Sequence, residues 1–456
     1  MPGPAIRAFE LARALGKHTE VVLASTVSVE GTHPNAELRL AVGPELPRLV
    51  SQASVSFAPS SLVYMAEELR STVNPVAVDI YDPYHLENLE MPGGAGPAEH
   101  DRSVTRLAGV LNAALRRGDF FTCASERQRD FWLGSLSALG RVNPYNYAAG
   151  PLLADLLAVV PFGLPGEPPR RTGPALKGVV PGIGADDKVV LWGGGVYDWL
   201  DPLSVVRAVG RLKDREPAVR LVFLGMGHPN PDTPVMGMAG EVERLAGELG
   251  LTGSHVFFNP GWVPYERRAD FLLDADVAVS AHFDHVETRY SFRSRVLDYL
   301  WASLPMVLTA GDVLASEVAS AGLGVAVPPG DDRAMEDALA RMLAEPPAPE
   351  GFRPLAQRYH WDRVAEPLVE FCAEPRRAPD LLAARVSPEE AAGLVPEPKP
   401  APALRPAPSP APVLVPVPAD ASAGHPEPGP AQLVSAAGRQ VVERFGVWSR
   451  SRWRQR

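Results

Sequence analysis

The chain has 456 residues, 46% hydrophobic and 21% charged, with a formal charge of −10 and only two cysteines. At about 100–200 residues per domain this length holds two globular units and a tail, and the negative charge argues against a body built to bind polyanions. Cys123 and Cys372 are too few and too far apart for a disulfide framework or a cysteine-ligated zinc site, and no apolar run reaches the about 18 residues that span a bilayer, so a cytoplasmic setting is expected.

Residues 4–16, PAIRAFELARALG, put Ile6, Phe9, Leu11 and Leu15 broadly on one face, with Pro at the start and Gly at the end, and predict a helix. The strand-like EVVLAS follows, and then SVSFAP, VAVDIYD and DFFTCAS alternate with helical stretches such as HDRSVTRLAGVLNAALRRG and ERQRDFWLGSLSALG. Strands alternating with helices predict a parallel sheet covered on both faces. One irregularity stands at the front: a doubly wound unit normally begins with a strand, whereas here the helix comes first. Losing a central parallel strand would leave two neighbours with unpaired backbone groups, so the expectation is a first strand encoded upstream of residue 1.

Residues 164–187 are rich in Pro and Gly and read as a linker between a first unit, 1–163, and a second, 188–350. The second unit repeats the alternation through KVVLWGGG, VRLVFLGMG, HVFFNPG, ADVAVSAH, LPMVLT and LGVAVPP. A helical segment over 351–375 is expected to return toward the first unit. Residues 376–430 form a Pro/Ala-rich linker, with 13 prolines within 391–430, a composition that favours disordered chain. The last segment, 431–456, holds six Arg against one Glu, together with Trp448 and Trp453. It reads either as a helix lying on anionic lipid at the inner face of the plasma membrane or as a basic tail.

In open α/β sheets ligands bind beyond the carboxyl ends of the strands. Gly193-Gly194-Gly195 after VVLW lets the backbone approach a phosphate or makes a tight turn, and Gly225-Met226-Gly227 after VRLVFL reads the same way. Trp262-Val263-Pro264 sits between a strand and a helix, where it would grip a flat base or cover a core edge. In SFRSRVLDYLWASLPMVLTAGD (291–312), Arg295 and Asp298 lie three apart on one helix face. An Arg that forks onto phosphate and a carboxylate that accepts sugar hydroxyls suit a nucleotide diphosphate; a plain surface ion pair is the alternative. His282, Asp284, His285 and Glu287 lack a recognised metal spacing, so no metal is expected. Neither a Gly-x-Ser-x-Gly elbow nor a Walker A pattern occurs.

The run RVLDYLWASLPMV resembles the nucleotide-sugar-binding helix of family 4 (group 1) glycosyltransferases of the GT-B fold, whose pattern is basic-x-x-Glu-Tyr-Met-Ala-x-Gly-x-Pro-Val. The resemblance spans roughly residues 3–375 and implies two Rossmann-like domains facing a cleft. It implies that Arg295 meets the donor diphosphate and is catalytic, that Asp298 holds the ribose, that Gly194, Gly195 and Gly225 approach the phosphates, and that Trp262, Val263 and Pro264 lie by the base. The family has Glu at both ends of a Glu-x7-Glu motif; here Asp298 stands at the second and Tyr290 at the first, leaving Glu287 or Asp284 for that role. On the acceptor side, Gly3 and Arg7 resemble the family's first loop. Asp82 and His85 end a strand at the cleft; Asp82 is expected to grip the acceptor hydroxyl as a second catalytic group, with Ser125, Glu126 and Gln128 behind it.

The implied activity is transfer from a nucleoside-diphosphate sugar to a glycan or lipid-linked acceptor, retaining, without metal or protein base, in cell-surface polysaccharide or glycolipid synthesis. A nucleotide-sugar epimerase on the same fold, or a non-catalytic binding protein on a decayed scaffold, are the alternatives.

Overall fold

The computed structural model describes residues 3–91, 96–227 and 236–383 and the backbone of residues 445–450. In chain order the strands are β1 (Glu20–Ser25), β2 (Glu37–Leu40), β3 (Val55–Pro59), β4 (Val76–Asp79), β5 (Phe120–Cys123) and β6 (Leu157–Val159) in the N-terminal half. The C-terminal half holds β7 (Lys188–Gly195), β8 (Val219–Gly225), β9 (Val256–Phe258), β10 (Val277–Ser280), β11 (Met306–Thr309) and β12 (Gly324–Val327), and β13 (Phe445–Arg450) comes last.

The C-terminal sheet runs β12-β11-β10-β7-β8-β9 and is parallel throughout. Its strands are buried on both faces, which is why they read as continuous apolar runs rather than alternating ones. The helix Pro202–Leu212 shows how the local sequence sets an element. Asp201 accepts from the Ser204 amide at 3.0 Å, Pro202 occupies the first turn, and Val205, Val206, Val209 and Leu212 are buried. Each such side chain contributes about 1.5–3 kcal/mol on leaving water.

The N-terminal sheet has the order β2-β1-β13-β3-β4-β5-β6. All its pairings are parallel except the two made by β13, which lies antiparallel between β1 and β3. Val447 stands opposite Leu23 on one side and Phe57 on the other. The slot that the sequence leaves without a strand is therefore filled from the far end of the chain, and the backbone groups of β1 and β3 find partners there. Where a helix was expected, residues 445–450 are a central strand. The Pro-rich stretch 391–430, and the rest of 431–456, lie outside the described residues.

Helices over Arg353–Arg358, Trp361–Val364 and Glu366–Ala373 pack back on the N-terminal half. Phe371 stacks on Phe120 with centroids 4.5 Å apart, and Trp361 packs on Phe162 at 5.0 Å. The linker is pinned to the C-terminal half, since Asp270 accepts from the amide and hydroxyl of Thr172 at 2.6 and 2.8 Å.

If β13 holds the central slot, Val447→Pro, which removes an amide from the ladder, should lower the melting temperature by at least about 3 °C and speed hydrogen exchange at residues 20–25 and 55–59. Ala411→Pro in the Pro-rich stretch should change neither, and unchanged exchange in Val447→Pro would remove β13 from the sheet.

Candidate functional site

The strands of the two sheets carry their C-terminal loops to one cavity. Gly194, Gly195, Gly225, Trp262, Val263, Arg295 and Asp298 line it from the C-terminal half, and Gly3, Ile6, Phe162 and Gly163 line it from the N-terminal half. Seven of the expected donor residues are thus brought together, with Gly3 facing them.

The glycine turn after β7 is dictated by its surroundings. Gly194 has φ of +94°, in the left-handed region that suits glycine. A Cβ on Gly193 would come within 2.9 Å of the Tyr299 ring, and one on Gly195 within 2.7 Å of the Tyr197 ring. The Gly193 amide donates to the Tyr299 hydroxyl at 2.8 Å, and that hydroxyl donates to the Val279 carbonyl at 3.2 Å. Burial pushes the Tyr299 phenol up to about 12, so it stays a neutral donor. The next loop abuts this one: a Cβ on Gly225 would lie 3.2 Å from both the Gly194 carbonyl oxygen and the Trp262 ring.

Arg295 closes the turn. Its Nη2 donates to the Gly195 carbonyl at 3.0 Å and its guanidinium lies 5.1 Å from the Trp192 ring centroid. Its Nη1 is buried with no hydrogen-bond partner among the described residues. Burial pushes its pKa down, yet a guanidinium stays charged, so the cavity holds a cation with no carboxylate assigned to it.

Asp298 lies one turn along the same helix and is not paired with Arg295. Its Oδ1 accepts from Arg268 Nε at 3.0 Å. Arg268 in turn lies 3.7 Å from the Tyr265 ring centroid and 4.5 Å from that of Trp301. Pro264 precedes the turn at Tyr265–Arg267 and is exposed, outside the cavity lining.

Several expected contacts fall elsewhere. Glu287 is fully buried and both its oxygens are taken by Arg293, at 2.9 and 2.6 Å, and it does not line this cavity. Asp284 is exposed. Arg7 is buried, forked onto Asp79 at 2.7 and 3.0 Å and bonded to the carbonyls of Val160 and Pro161; its donors are spent on holding strand ends together, and the expected acceptor contact is corrected to a structural one. His85 packs 5.8 Å from Phe131 and 5.9 Å from Trp132, and burial lowers it to about 4, so it is neutral at physiological pH. Ser125 caps the helix Glu126–Ala138, and Glu126 is exposed. Gln128 is buried and donates to the carbonyls of Tyr81 and Tyr290, both at 2.8 Å, tying the two halves.

Asp82 sits where the helices Tyr84–Glu87 and Val286–Tyr290 meet across the cleft. Burial raises its carboxyl to about 7, with the charges of Glu287 and Asp79 adding to the rise and Arg293 opposing it. Glu87 is raised for the same reason, burial first. The residues that sequence reasoning missed, Arg268, Tyr299 and Arg293, act through partners in other elements, whereas Tyr265, expected beside Trp262-Val263-Pro264 at the base, does line the cavity. Arg268 alone had a local signal, as a basic residue just after the Trp262-Val263-Pro264 segment.

Residues 187–345 match the family described as glycosyl transferases group 1. No curated protein matches the chain. Among solved structures, sucrose-phosphate synthase from Thermosynechococcus elongatus is similar over 81% of this chain and 92% of its own, at 18% identity and a TM-score of 0.58. Anabaena HepE in complex with UDP-glucose covers 81% and 96%, at 15% identity and 0.58. WaaG, a glycosyltransferase involved in lipopolysaccharide biosynthesis, covers 84% and 96%, at 14% identity and 0.50. The fold is that of these GT-B proteins.

A carboxyl held near 7 in the folded protein and near 3.8 when unfolded keeps its proton in both states below about pH 4. Between about pH 4 and 7 the unfolded chain releases the proton first, so stability is lost as pH rises through that window. The melting temperature should therefore fall between pH 5 and pH 8, and Asp82→Asn should reduce that fall by at least about 2 °C. An Asp82→Asn profile parallel to wild type would refute the raised carboxyl.

Proposed function

We propose that this chain, a group 1 glycosyltransferase by its residues 187–345, transfers a sugar from a nucleoside-diphosphate donor to an acceptor hydroxyl. The observation that carries the donor assignment is Arg295, whose buried Nη1 has no partner beside a side-chain-free turn. A buried cation without a counter-charge is costly, and a diphosphate supplies two. The same contact gains strength as the leaving group develops charge, which makes Arg295 the catalytic residue.

In this reading Asp298 accepts the ribose hydroxyls and Trp262 and Val263 flank the base. The UDP-glucose complex of HepE, a protein of the same fold, supports a nucleotide-sugar donor. Asp82, across the cleft, accepts the hydrogen bond of the incoming hydroxyl, and the acceptor is a glycan or lipid-linked glycan. Asp298 is the one carboxylate among the described residues lining the donor cavity, and Arg268 engages it. That supports transfer on one face of the sugar with no protein nucleophile or base, hence retention. Arg295 takes the charge-stabilising role, and no metal enters the scheme. Gln128 and Arg127, which donate to carbonyls of the C-terminal half, help to keep water from the donor.

Calorimetry with UDP, ADP and GDP should give micromolar binding of one of them, weakened at least about tenfold in Arg295→Ala. The KM for the acceptor should fall as pH rises through about 7, since ionised Asp82 accepts the hydroxyl's hydrogen bond without taking its proton, and Asp82→Asn should flatten that change. Absence of binding by the folded protein would overturn the donor reading; interconversion of free donor sugar without an acceptor would replace transfer by epimerisation.

A further inference from the structure

The ribose carboxylate of the donor site is not free to orient itself. Asp298 is 41% exposed at its side chain, and the bond from Arg268 Nε fixes one of its oxygens. Arg268 is fixed in turn: its guanidinium lies between the Tyr265 and Trp301 rings, and its Nη1 donates to the Tyr265 carbonyl at 2.9 Å. Trp301 is held by the linker, its Nε1 donating to the Glu167 carbonyl at 2.7 Å. The Tyr265 hydroxyl reaches the other half of the molecule, donating at 3.1 Å to Glu10, which is 4% exposed on the helix Gly3–Leu15.

From this line of contacts we propose that Arg268 is a positioning residue that sets Asp298 for the donor's ribose hydroxyls, and that the Tyr265–Glu10 hydrogen bond makes that setting depend on the N-terminal half. The inference rests on the donor reading above. A guanidinium held between two rings has lost its freedom before the ligand arrives, so the carboxylate it fixes is preorganised at little further entropic cost. Because Glu10 and Gly3 belong to the same helix, and Gly3 lines the donor cavity, a shift of the N-terminal half reaches the ribose end of the site through a single side-chain bond.

The test uses the full chain and the nucleoside diphosphate that binds best among UDP, ADP and GDP, alongside its 2′-deoxy and 3′-deoxy analogues, by calorimetry. Wild type should prefer the ribonucleotide by at least about tenfold over one analogue. Arg268→Ala should bring that ratio close to one while weakening the analogue itself little, a pattern that general loss of structure does not give. Tyr265→Phe keeps the ring under Arg268 and removes only the hydroxyl; it and Glu10→Leu should each halve the preference or more, and the double variant should be no worse than either. Glu10→Gln, which retains an oxygen for the tyrosine, should behave as wild type. If wild type discriminates and Arg268→Ala discriminates equally, the positioning role is overturned while the donor reading stands. Additive losses in Tyr265→Phe and Glu10→Leu would overturn the coupling between halves. No binding of any nucleoside diphosphate to folded wild type would overturn the donor reading itself.

Discussion

The cavity between the two sheets is organised round a guanidinium that has no carboxylate of its own among the described residues. Among the described residues, Arg7, Arg141 and Arg293 are also buried, and each is forked onto an acid, Asp79, Asp380 and Glu287 respectively. In those three the desolvation of charge is offset within the protein, and the pairs hold strands and loops in register. Among the described residues, Arg295 has the Gly195 carbonyl and the Trp192 ring instead of an acid. The three glycines beside it leave room for a ligand's phosphates, while Tyr299, Tyr197 and Trp192 fill the space on the protein's side.

The two halves contribute unequally. The C-terminal half supplies most of the cavity wall and the cation; the N-terminal half brings a helix and the acidic corner formed by Asp79, Asp82 and Glu87. That corner faces Glu287 and Arg293, so carboxyl groups on both sides of the cleft compete for few cations. The result is a carboxyl, that of Asp82, raised to about 7 at the cleft between the two halves.

What the sequence made legible follows from burial. Parallel strands covered on both faces appear as VVLW, VRLVFL and ADVAVS, and a strand followed by a loop and a helix fixes which loops meet at the carboxyl ends. Gly194, Gly195, Gly225, Trp262, Arg295 and Asp298 could be located on that basis. Choice of partner could not. Arg7 and Asp79 are 72 residues apart, and nothing local tells a phosphate-facing arginine from one locked on a strand end. Glu287 lay near the expected position of a donor contact, yet Arg293, six residues on, claims it. Phe445–Arg450 carries no strand period strong enough to oppose its basic flanks, and only the vacant slot between β1 and β3 gives it a structure.

That slot also orders events at the ribosome. The strands of the C-terminal sheet follow one another along the chain, so this half has all its pairing partners once β12 has emerged. The N-terminal sheet, although its other strands are synthesised first, lacks its central strand until residues 445–450 appear. Vectorial folding from the N-terminus, the usual sequence for multidomain chains, is inverted here. The C-terminal half can complete its sheet first, and the facing edges of β1 and β3 stay unpaired until β13 has been synthesised.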